Sequence, residues 1–190
     1  MKPSLNYKNW LRRVTPRVSQ EVRRVELAYI AGFLDGDGCI MLQLVPRKGY
    51  VLGYQIRASI VFYQKQQYRS FLEGIKERLI YGYIRERKDN MVEYTIVGLK
   101  PVESVLTLLY PYLRLKKKQA QLALEIIRRI PEKVRASNKE KIDAKLLMEL
   151  SSEVDKFALL NYSKRRTNTS EKVKEFLESH NLLNPVETDP

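Results

Sequence analysis

The nine residues at positions 30–38, IAGFLDGDG, constrain the fold of this chain more than any other segment. They belong to an apolar run with the spacing of a buried helix, and the run ends on two acids separated by a glycine, Asp35 and Asp37. Small residues recur every four positions on one face of this helix, where a second helix backbone can approach closely. These residues are Ala28, Gly32 and Gly36. The sequence therefore predicts a buried helix over residues 26–36 that packs against another helix.

The two carboxylates fall at the C-terminal end of that predicted helix. Carboxylates are costly to bury unless they are paired or bound to a metal ion. The unpaired carbonyl groups at a helix C-terminus add about half a negative charge. This position is therefore unfavourable for an anion and favourable for a hard cation.

The charge balance of the chain points to a polyanionic partner. Its 190 residues carry a formal net charge of +13, and 44% of them are hydrophobic, which is enough for a packed core. An excess of this size is typical of nucleic-acid binding. The single cysteine, Cys39, excludes an intramolecular disulfide, and the single histidine, His180, argues against histidine-based nucleases and acyl-transfer triads. Hydrolysis by this chain would therefore depend on carboxylates, metal, lysine or water.

Residue spacing predicts an α+β fold with four strands in two hairpins and helices packed on one face of the sheet. The predicted strands span residues 39–47, 54–63, 82–88 and 92–98, and the predicted helices span 26–36, 67–80, 101–110, 117–130, 138–162 and 170–179. We expect a single domain over residues 25–180. A basic extension over 1–24 precedes it; we interpret this extension as an arm that binds DNA, and a transit peptide or a solvated tail are the alternatives. A flexible tail over 181–190 follows the domain.

The segment IAGFLDGDG resembles the LAGLIDADG motif of homing endonucleases. The positions identical to that motif are Ala31, Gly32, Asp35, Asp37 and Gly38. The resemblance extends over roughly residues 26–180 and is strongest to the single-motif enzymes of chloroplast ribosomal-RNA introns. It implies an αββαββα core with a saddle-shaped, four-stranded antiparallel sheet and additional C-terminal helices. It also implies site-specific cleavage of double-stranded DNA at a long pseudo-palindromic target.

The resemblance implies a divalent metal at the end of the motif helix. In the family the second acid of the motif binds the metal, and that acid is Asp37 here, assisted by the backbone carbonyl of Gly36. Mg²⁺ prefers oxygen ligands and keeps several waters, so one carboxylate per subunit with DNA phosphates suffices. Mn²⁺ is expected to substitute, and Ca²⁺ to bind without supporting cleavage. The first acid, Asp35, is expected to be structural and to cap backbone groups at the helix end.

The resemblance also implies catalytic residues outside the motif. Gln64, at the end of the second predicted strand, matches a glutamine that positions water. Lys116 matches a lysine that polarises water or stabilises developing phosphate charge. A second basic group is expected nearby, but Tyr68 stands where related enzymes often carry a basic residue, so Arg69 becomes the candidate.

Polar residues alternate with apolar residues along the predicted strands, so one sheet face is expected to be polar. Arginine, glutamine and glutamate can pair with guanine, adenine and cytosine, which makes this face a predicted DNA reader. Its members are Gln43, Arg47, Tyr50, Gln55, Arg57, Ser59, Arg85, Arg87, Glu93 and Thr95. A basic loop is expected to contact DNA phosphates through Ser163, Lys164 and Arg166.

The chain carries only one copy of the motif, which predicts a homodimer. The predicted interface is the small-residue face formed by Ala28, Gly32 and Gly36, with the two motif helices crossing at a two-fold axis. An RNA maturase that assists intron splicing and a non-cleaving DNA-binding protein remain alternatives on the same scaffold. We expect an intracellular protein of an organelle, the chloroplast above all, with no membrane association.

Overall fold

The computed structural model describes residues 16–136, 142–161 and 167–183. Strands β1 (Gly38–Pro46) and β2 (Tyr54–Lys65) follow helix α1 (Pro16–Asp37), and β3 (Tyr83–Glu86) and β4 (Met91–Val97) follow α2 (Arg69–Leu79). The remaining helices are α3 (Leu99–Leu109), α4 (Lys117–Arg129), α5 (Glu132–Ala136), α6 (Ala144–Leu159) and α7 (Ser170–Ser179). Short 3₁₀ turns precede α2 at Gln66–Tyr68 and follow α3 at Tyr110–Tyr112. The predicted α+β class and order of strands and helices are confirmed.

The four strands form one antiparallel sheet in the order β1-β2-β4-β3. In its register Gly38 pairs with Phe62 and Ser59 with Val97. Even-numbered apolar residues of the strands are buried beneath the helices, as strand alternation requires. They include Ile40, Leu42, Leu44, Ile56, Ala58, Ile60, Phe62, Val92, Tyr94 and Ile96. The opposite side, which we call the open face, carries the odd-numbered side chains.

Helix α1 begins at Pro16, ten residues before the predicted start at residue 26. Proline is favoured in a first helical turn. Residues 17–25, which follow Pro16, include no proline or glycine that would break the helix. The predicted boundary after residue 24 therefore falls inside a continuous helix. Since 22 residues span about 33 Å at 1.5 Å each, Pro16 lies far from the end at Asp37. The described part of the extension, residues 16–24, is thus helical.

The chain leaves α1 by a tight turn at Gly38. A Cβ added to Gly38 would lie 2.5 Å from Leu34 Cδ1 and 2.9 Å from the Leu34 backbone. The last glycine of the motif is therefore required for packing within the subunit. By contrast, a Cβ on Gly32 or Gly36 would meet no atom within 4 Å.

Other helix boundaries differ from the predictions in the C-terminal half. Helix α3 begins at Leu99 rather than Pro101, because Gly98, with a φ of +113°, forms the start of the turn. The helix expected over 138–162 spans Ala144–Leu159, and the Asp143 carboxylate caps it by accepting from Leu146 N at 2.7 Å. Helix α5 was not predicted; at its start the Pro131 carbonyl accepts from Val134 N at 3.0 Å and Arg135 N at 3.1 Å. No described helix is both long and apolar enough to cross a membrane.

Candidate active site and nucleic-acid interface

Asp35 connects the end of α1 to the loop that precedes α4. Its carboxylate accepts the backbone N–H groups of Arg114 at 2.7 Å, Leu115 at 3.1 Å and Lys116 at 2.8 Å. Three donors saturate most of the acceptor capacity of a carboxylate, and the charge strengthens each bond. Asp35 therefore caps backbone groups as predicted, although these belong to a loop about eighty residues away rather than to its own helix.

Asp37 is the last residue of α1, and it is exposed. Gly36, beside it, is also exposed. The C-terminal carbonyl groups of α1 lack partners within the helix and add negative potential here. The two acids of the motif therefore differ in environment: the Asp35 carboxylate is engaged in internal bonds, while Asp37 lies outward at the surface.

Lys116 is half-buried and directed to the end of α1. Its ammonium group donates a hydrogen bond to the backbone carbonyl of Asp35. A cleft of about 750 Å³ adjoins this contact, and its lining includes Asp35, Gly36, Cys39 and Lys116. The structure therefore places the predicted lysine against the predicted metal-binding segment, although the two are far apart in sequence.

Gln64 lies near the end of β2, two residues after Phe62, which pairs with the first residue of β1. It is therefore at the same edge of the sheet as the end of α1. We call the region of Gly36, Asp37, Gln64 and Lys116 the catalytic edge, after the roles predicted for these residues. Its Oε1 accepts the backbone N–H of Lys65 at 2.9 Å. This bond fixes the amide so that its NH₂ group is directed away from that backbone.

Arg69, the candidate second basic group, is engaged by two acids. Its Nε lies 2.8 Å from Glu73 Oε1, and its Nη1 lies 2.6 Å from Glu86 Oε1. The hydrogen bond to Glu73, followed by that to Glu86, raises the pKa of Arg69. Tyr68 beside it is exposed. The assignment of Arg69 to the active site stays a prediction.

Two residues of the catalytic edge were missed by the sequence analysis, Cys39 and Tyr63. Both are half-buried on the open face. Burial raises the pKa of Cys39, and nearby Lys116 partly offsets this. Burial, then Cys39 and Glu93, raises the pKa of Tyr63, whereas Arg87 and Arg85 lower it. The alternation that assigned Arg57 and Ser59 on β2 to the polar face could also have identified Tyr63, since all three positions are odd-numbered and point to the same side of the strand.

The predicted DNA-reading residues lie on or beside the open face, with unequal exposure. Gln43 is exposed and Arg57 is half-buried, and the two are partners in the β1–β2 register. Ser59 and Thr95 are only 3% and 5% exposed, because longer side chains on neighbouring strands flank them. Tyr50 is half-buried in the β1–β2 turn. Ser163, Lys164 and Arg166 fall outside the described residues.

Several of these residues are bonded to each other. The amide of Gln55, oriented so that its oxygen faces the guanidinium, accepts from Arg47 Nη2 at 3.1 Å and Nε at 3.3 Å. Glu93 accepts at Oε1 from Arg85 Nε at 3.0 Å and Nη2 at 2.8 Å. Arg87 lies 3.6 Å from Glu93 Oε2 and also binds Asp89 at 2.9 Å. The open face is therefore organised by internal pairs.

The small-residue face of α1 is exposed in the isolated subunit. Ala28, Gly32 and Gly36 are all exposed, and the large side chains of Val25 and Tyr29 beside them are more than half exposed. The fold of one subunit therefore does not explain why these positions are small. The homodimer stays a prediction that this observation supports.

The donor set at the end of α1 fits a hard, oxygen-preferring cation. It consists of the exposed Asp37 carboxylate and backbone carbonyl oxygens, with no nitrogen or sulfur ligand required. Within the described residues no cluster of three or more His, Cys, Asp and Glu could hold a metal by itself. A metal at this position would therefore need ligands from water, DNA or a second subunit.

Comparison with known proteins identifies relatives along most of the chain. Residues 30–127 match the family model described as LAGLIDADG endonuclease. The chain is 38% identical over 154 residues to DNA endonuclease I-CvuI of Chlorella vulgaris, covering 81% of this chain and 91% of that protein. It is 40% identical over 153 residues to DNA endonuclease I-CreI of Chlamydomonas reinhardtii, covering 80% and 89%.

Two solved structures of I-CvuI share the fold. In one, the homing endonuclease is in complex with its target in the presence of 2 mM Ca; the TM-score is 0.77 at 37% identity, covering 85% of this chain and 98% of that chain. In the other, it is in complex with the I-CreI target in the presence of 2 mM Mg, with DNA not cleaved; the TM-score is 0.76 at 37% identity, covering 84% and 96%.

Proposed function

This chain belongs to the LAGLIDADG endonuclease family, and from that membership we propose that it is a homodimeric homing endonuclease that cleaves both strands of a long, nearly palindromic DNA target. The observation that carries the proposal is the contrast between the two acids of the motif. Asp35 is engaged by three backbone N–H groups, while Asp37 is exposed at the C-terminus of α1. A protein that only bound nucleic acid would not need Asp37, Gln64 and Lys116 at one edge.

The proposed metal is Mg²⁺, held by the Asp37 carboxylate and the Gly36 carbonyl, with Mn²⁺ as a substitute and Ca²⁺ as an ion that binds without supporting cleavage. When bound, a divalent cation lowers the pKa of a coordinated water and neutralises phosphate charge. The I-CvuI structures determined in the presence of Ca and of Mg support divalent metal use in the family.

The chain's own residues then have separate tasks. The amide of Gln64, whose oxygen is held by Lys65 N–H, presents its NH₂ group to orient a water molecule at the catalytic edge. The Lys116 ammonium, held at the Asp35 carbonyl, stabilises negative charge that develops on a nearby phosphate. Asp35 contributes indirectly, because its three bonds position the loop that carries Lys116.

The proposed assembly follows from the exposed small-residue face of α1. If two copies of that face pack at a two-fold axis, the C-termini of both α1 helices, each ending in Asp37, come together beside it. Two open faces would then lie along one DNA duplex and read related half-sites. The net charge of +13 supports binding to the DNA backbone. By resemblance we also propose a chloroplast location.

The test compares wild type, Asp37→Asn and Lys118→Met on a library of duplex DNA that includes the target crystallised with I-CvuI. Each is incubated with Mg²⁺, Mn²⁺ or Ca²⁺, and the DNA ends are sequenced. We expect cuts by wild type and Lys118→Met at one near-palindromic site with Mg²⁺ or Mn²⁺. Asp37→Asn should bind that site without cutting it. Tight binding without cuts by wild type in any metal would contradict the nuclease and favour the maturase or the non-cleaving DNA-binding protein.

A further inference from the structure

Two glutamines of the open face differ in what they can offer a DNA base. The Oε1 of Gln55 accepts from Arg47 at 3.1 and 3.3 Å, an orientation assigned from the hydrogen-bond network. Gln43 is exposed, and its side chain makes no hydrogen bond to any described residue. Gln55 therefore retains only its N–H donors for a ligand, whereas Gln43 retains both a donor and an acceptor.

This difference changes the base that each glutamine can read. Adenine offers an acceptor at N7 and a donor at N6 in the major groove, so a glutamine needs both amide functions to pair with it. Guanine offers two acceptors, N7 and O6. Gln55 cannot accept from adenine N6 while its oxygen is held by Arg47, and Arg47 contributes further N–H donors beside it. The Arg47–Gln55 pair therefore suits guanine, although Gln55 alone would suit adenine.

In a second cluster, around Glu93, the acceptor is likewise occupied by arginine. Glu93 could accept from cytosine N4, but the residue is only 7% exposed, and its carboxylate is engaged by Arg85 at Oε1 and Arg87 at Oε2. The Arg85 side chain is 64% exposed. The buried acceptor thus orients the exposed donor. An outward guanidinium held in this way matches the two acceptors of guanine in a bidentate manner.

We propose that these two clusters, Arg47–Gln55 and Arg85–Glu93, present only donors to DNA and therefore select guanine at two positions of each half-site. The inference rests on the proposed DNA-binding function and names the bases that this face selects. Glu93 pairs with Tyr63 in the sheet register, and Tyr63 is eight residues from Gln55 along β2. At about 3.3 Å per residue the clusters lie about 26 Å apart, so they contact different base pairs.

The experiment selects duplexes from a randomised library with full-length protein in Ca²⁺ and reads binding rather than cleavage. Wild type, Arg47→Met, Arg85→Lys and Gln43→Met are compared, with circular dichroism as a check on folding. Selected duplexes are then resynthesised with 7-deazaguanine, which lacks the N7 acceptor, at each conserved guanine. This second measurement uses wild-type protein and does not depend on any variant folding.

We expect wild type to select guanine at both positions and 7-deazaguanine to weaken binding. A bidentate pair discriminates roughly 5- to 150-fold against a wrong base, so losing one of its two bonds should cost a fraction of that range. Arg47→Met should release the Gln55 oxygen and change guanine to adenine at one position. Arg85→Lys should weaken the preference for guanine at the other position. Gln43→Met should leave both guanines in place.

Different results would contradict the selection of guanine and the binding of DNA itself. If wild type selects an A·T pair at the position that responds to Arg47→Met or at the one that responds to Arg85→Lys, the donor-only inference is overturned while DNA binding stands. Selection of guanines that tolerate 7-deazaguanine without loss would overturn it as well. If no duplex is enriched over the random library, the proposed DNA-binding function fails, and the inference fails with it.

Discussion

Lys116 donates two hydrogen bonds to Asp35, one to its carboxylate and one to its backbone carbonyl. The backbone N–H of Lys116 donates to the Asp35 carboxylate at 2.8 Å, and the Lys116 ammonium donates to the Asp35 backbone carbonyl. Each residue thereby fixes the position of the other, although they are 81 positions apart in sequence. This double contact joins the end of α1 to the start of α4 and brings the lysine to the catalytic edge.

Replacing Asp35 with alanine should destabilise the fold, since three backbone N–H groups lose a charged acceptor. We expect the free energy of unfolding to fall by about 2–4 kcal/mol, measured by urea denaturation. Asp37→Ala is the matched control, because Asp37 is exposed. It should change stability by less than about 0.5 kcal/mol. Equal destabilisation by both substitutions would contradict the separate roles of the two acids.

Removing the charge of Lys116 should impair cleavage more than binding. We expect Lys116→Met to lower kcat by about 10²- to 10³-fold, the usual effect of losing one group that stabilises developing charge. Single-turnover cleavage of a saturated target measures this. Lys118→Met removes the same charge from an exposed neighbour that also lines the cleft. A similar loss in both variants would mean that bulk charge, not the position of Lys116, is responsible.

Gly32 should be needed for the dimer and not for the subunit fold. A Cβ added at Gly32 would meet nothing within 4 Å in one subunit, and the residue is exposed, so Gly32→Leu should retain the helical circular dichroism spectrum. It should nevertheless sediment as a monomer in analytical ultracentrifugation, because leucine would separate two closely packed helices. If Gly32→Leu remains a dimer at low micromolar concentration, the proposed interface lies elsewhere.

Gly38, by contrast, should be needed for the fold of the subunit rather than for the dimer. Its added Cβ would lie 2.9 Å from the Leu34 backbone, which cannot move as freely as a side-chain terminus. We expect Gly38→Ala to lower the free energy of unfolding by about 1–3 kcal/mol, as overpacking usually does. Thermal denaturation followed at several protein concentrations separates this effect from dimer dissociation. A stability equal to that of wild type would show that the turn relaxes without cost.

Alkaline pH should destabilise the protein through Tyr94. Its hydroxyl donates to the Tyr81 carbonyl at 2.6 Å, and burial raises its pKa well above the usual value of 10.0. The folded state therefore holds this proton more tightly than the unfolded chain does. The resulting stability is complete below pH 10 and is lost as the pH rises through the folded-state pKa.

Tyr94→Phe tests this dependence. It should cost about 1 kcal/mol at neutral pH through the lost hydrogen bond. It should also flatten the decline in stability above pH 10, as measured by denaturation at a series of pH values. An alkaline decline as steep as that of wild type would assign the effect to other groups.

The local features of this protein follow from the order of its residues. The alternation along β2 predicted which side chains face the helices, and the spacing of apolar residues predicted most of the helices, since these patterns have periodicities of 2 and 3.6 residues. The motif predicted that Asp35 and Asp37 would end a buried helix and have different roles. Boundaries were less predictable, as the starts of α1 and α3 show, because a first helical turn depends on local capping and packing.

The tertiary structure alone decided which distant groups meet. No local pattern indicates that Asp35 caps the loop at Arg114 or that Lys116 binds the Asp35 carbonyl. Nor does strand alternation reveal that Gln55 gives its acceptor to Arg47, or that Glu93 is enclosed by two arginines. Periodicity assigns a side chain to a face, but hydrogen bonding between elements depends on register and packing. Those pairings determine which donors and acceptors remain for DNA.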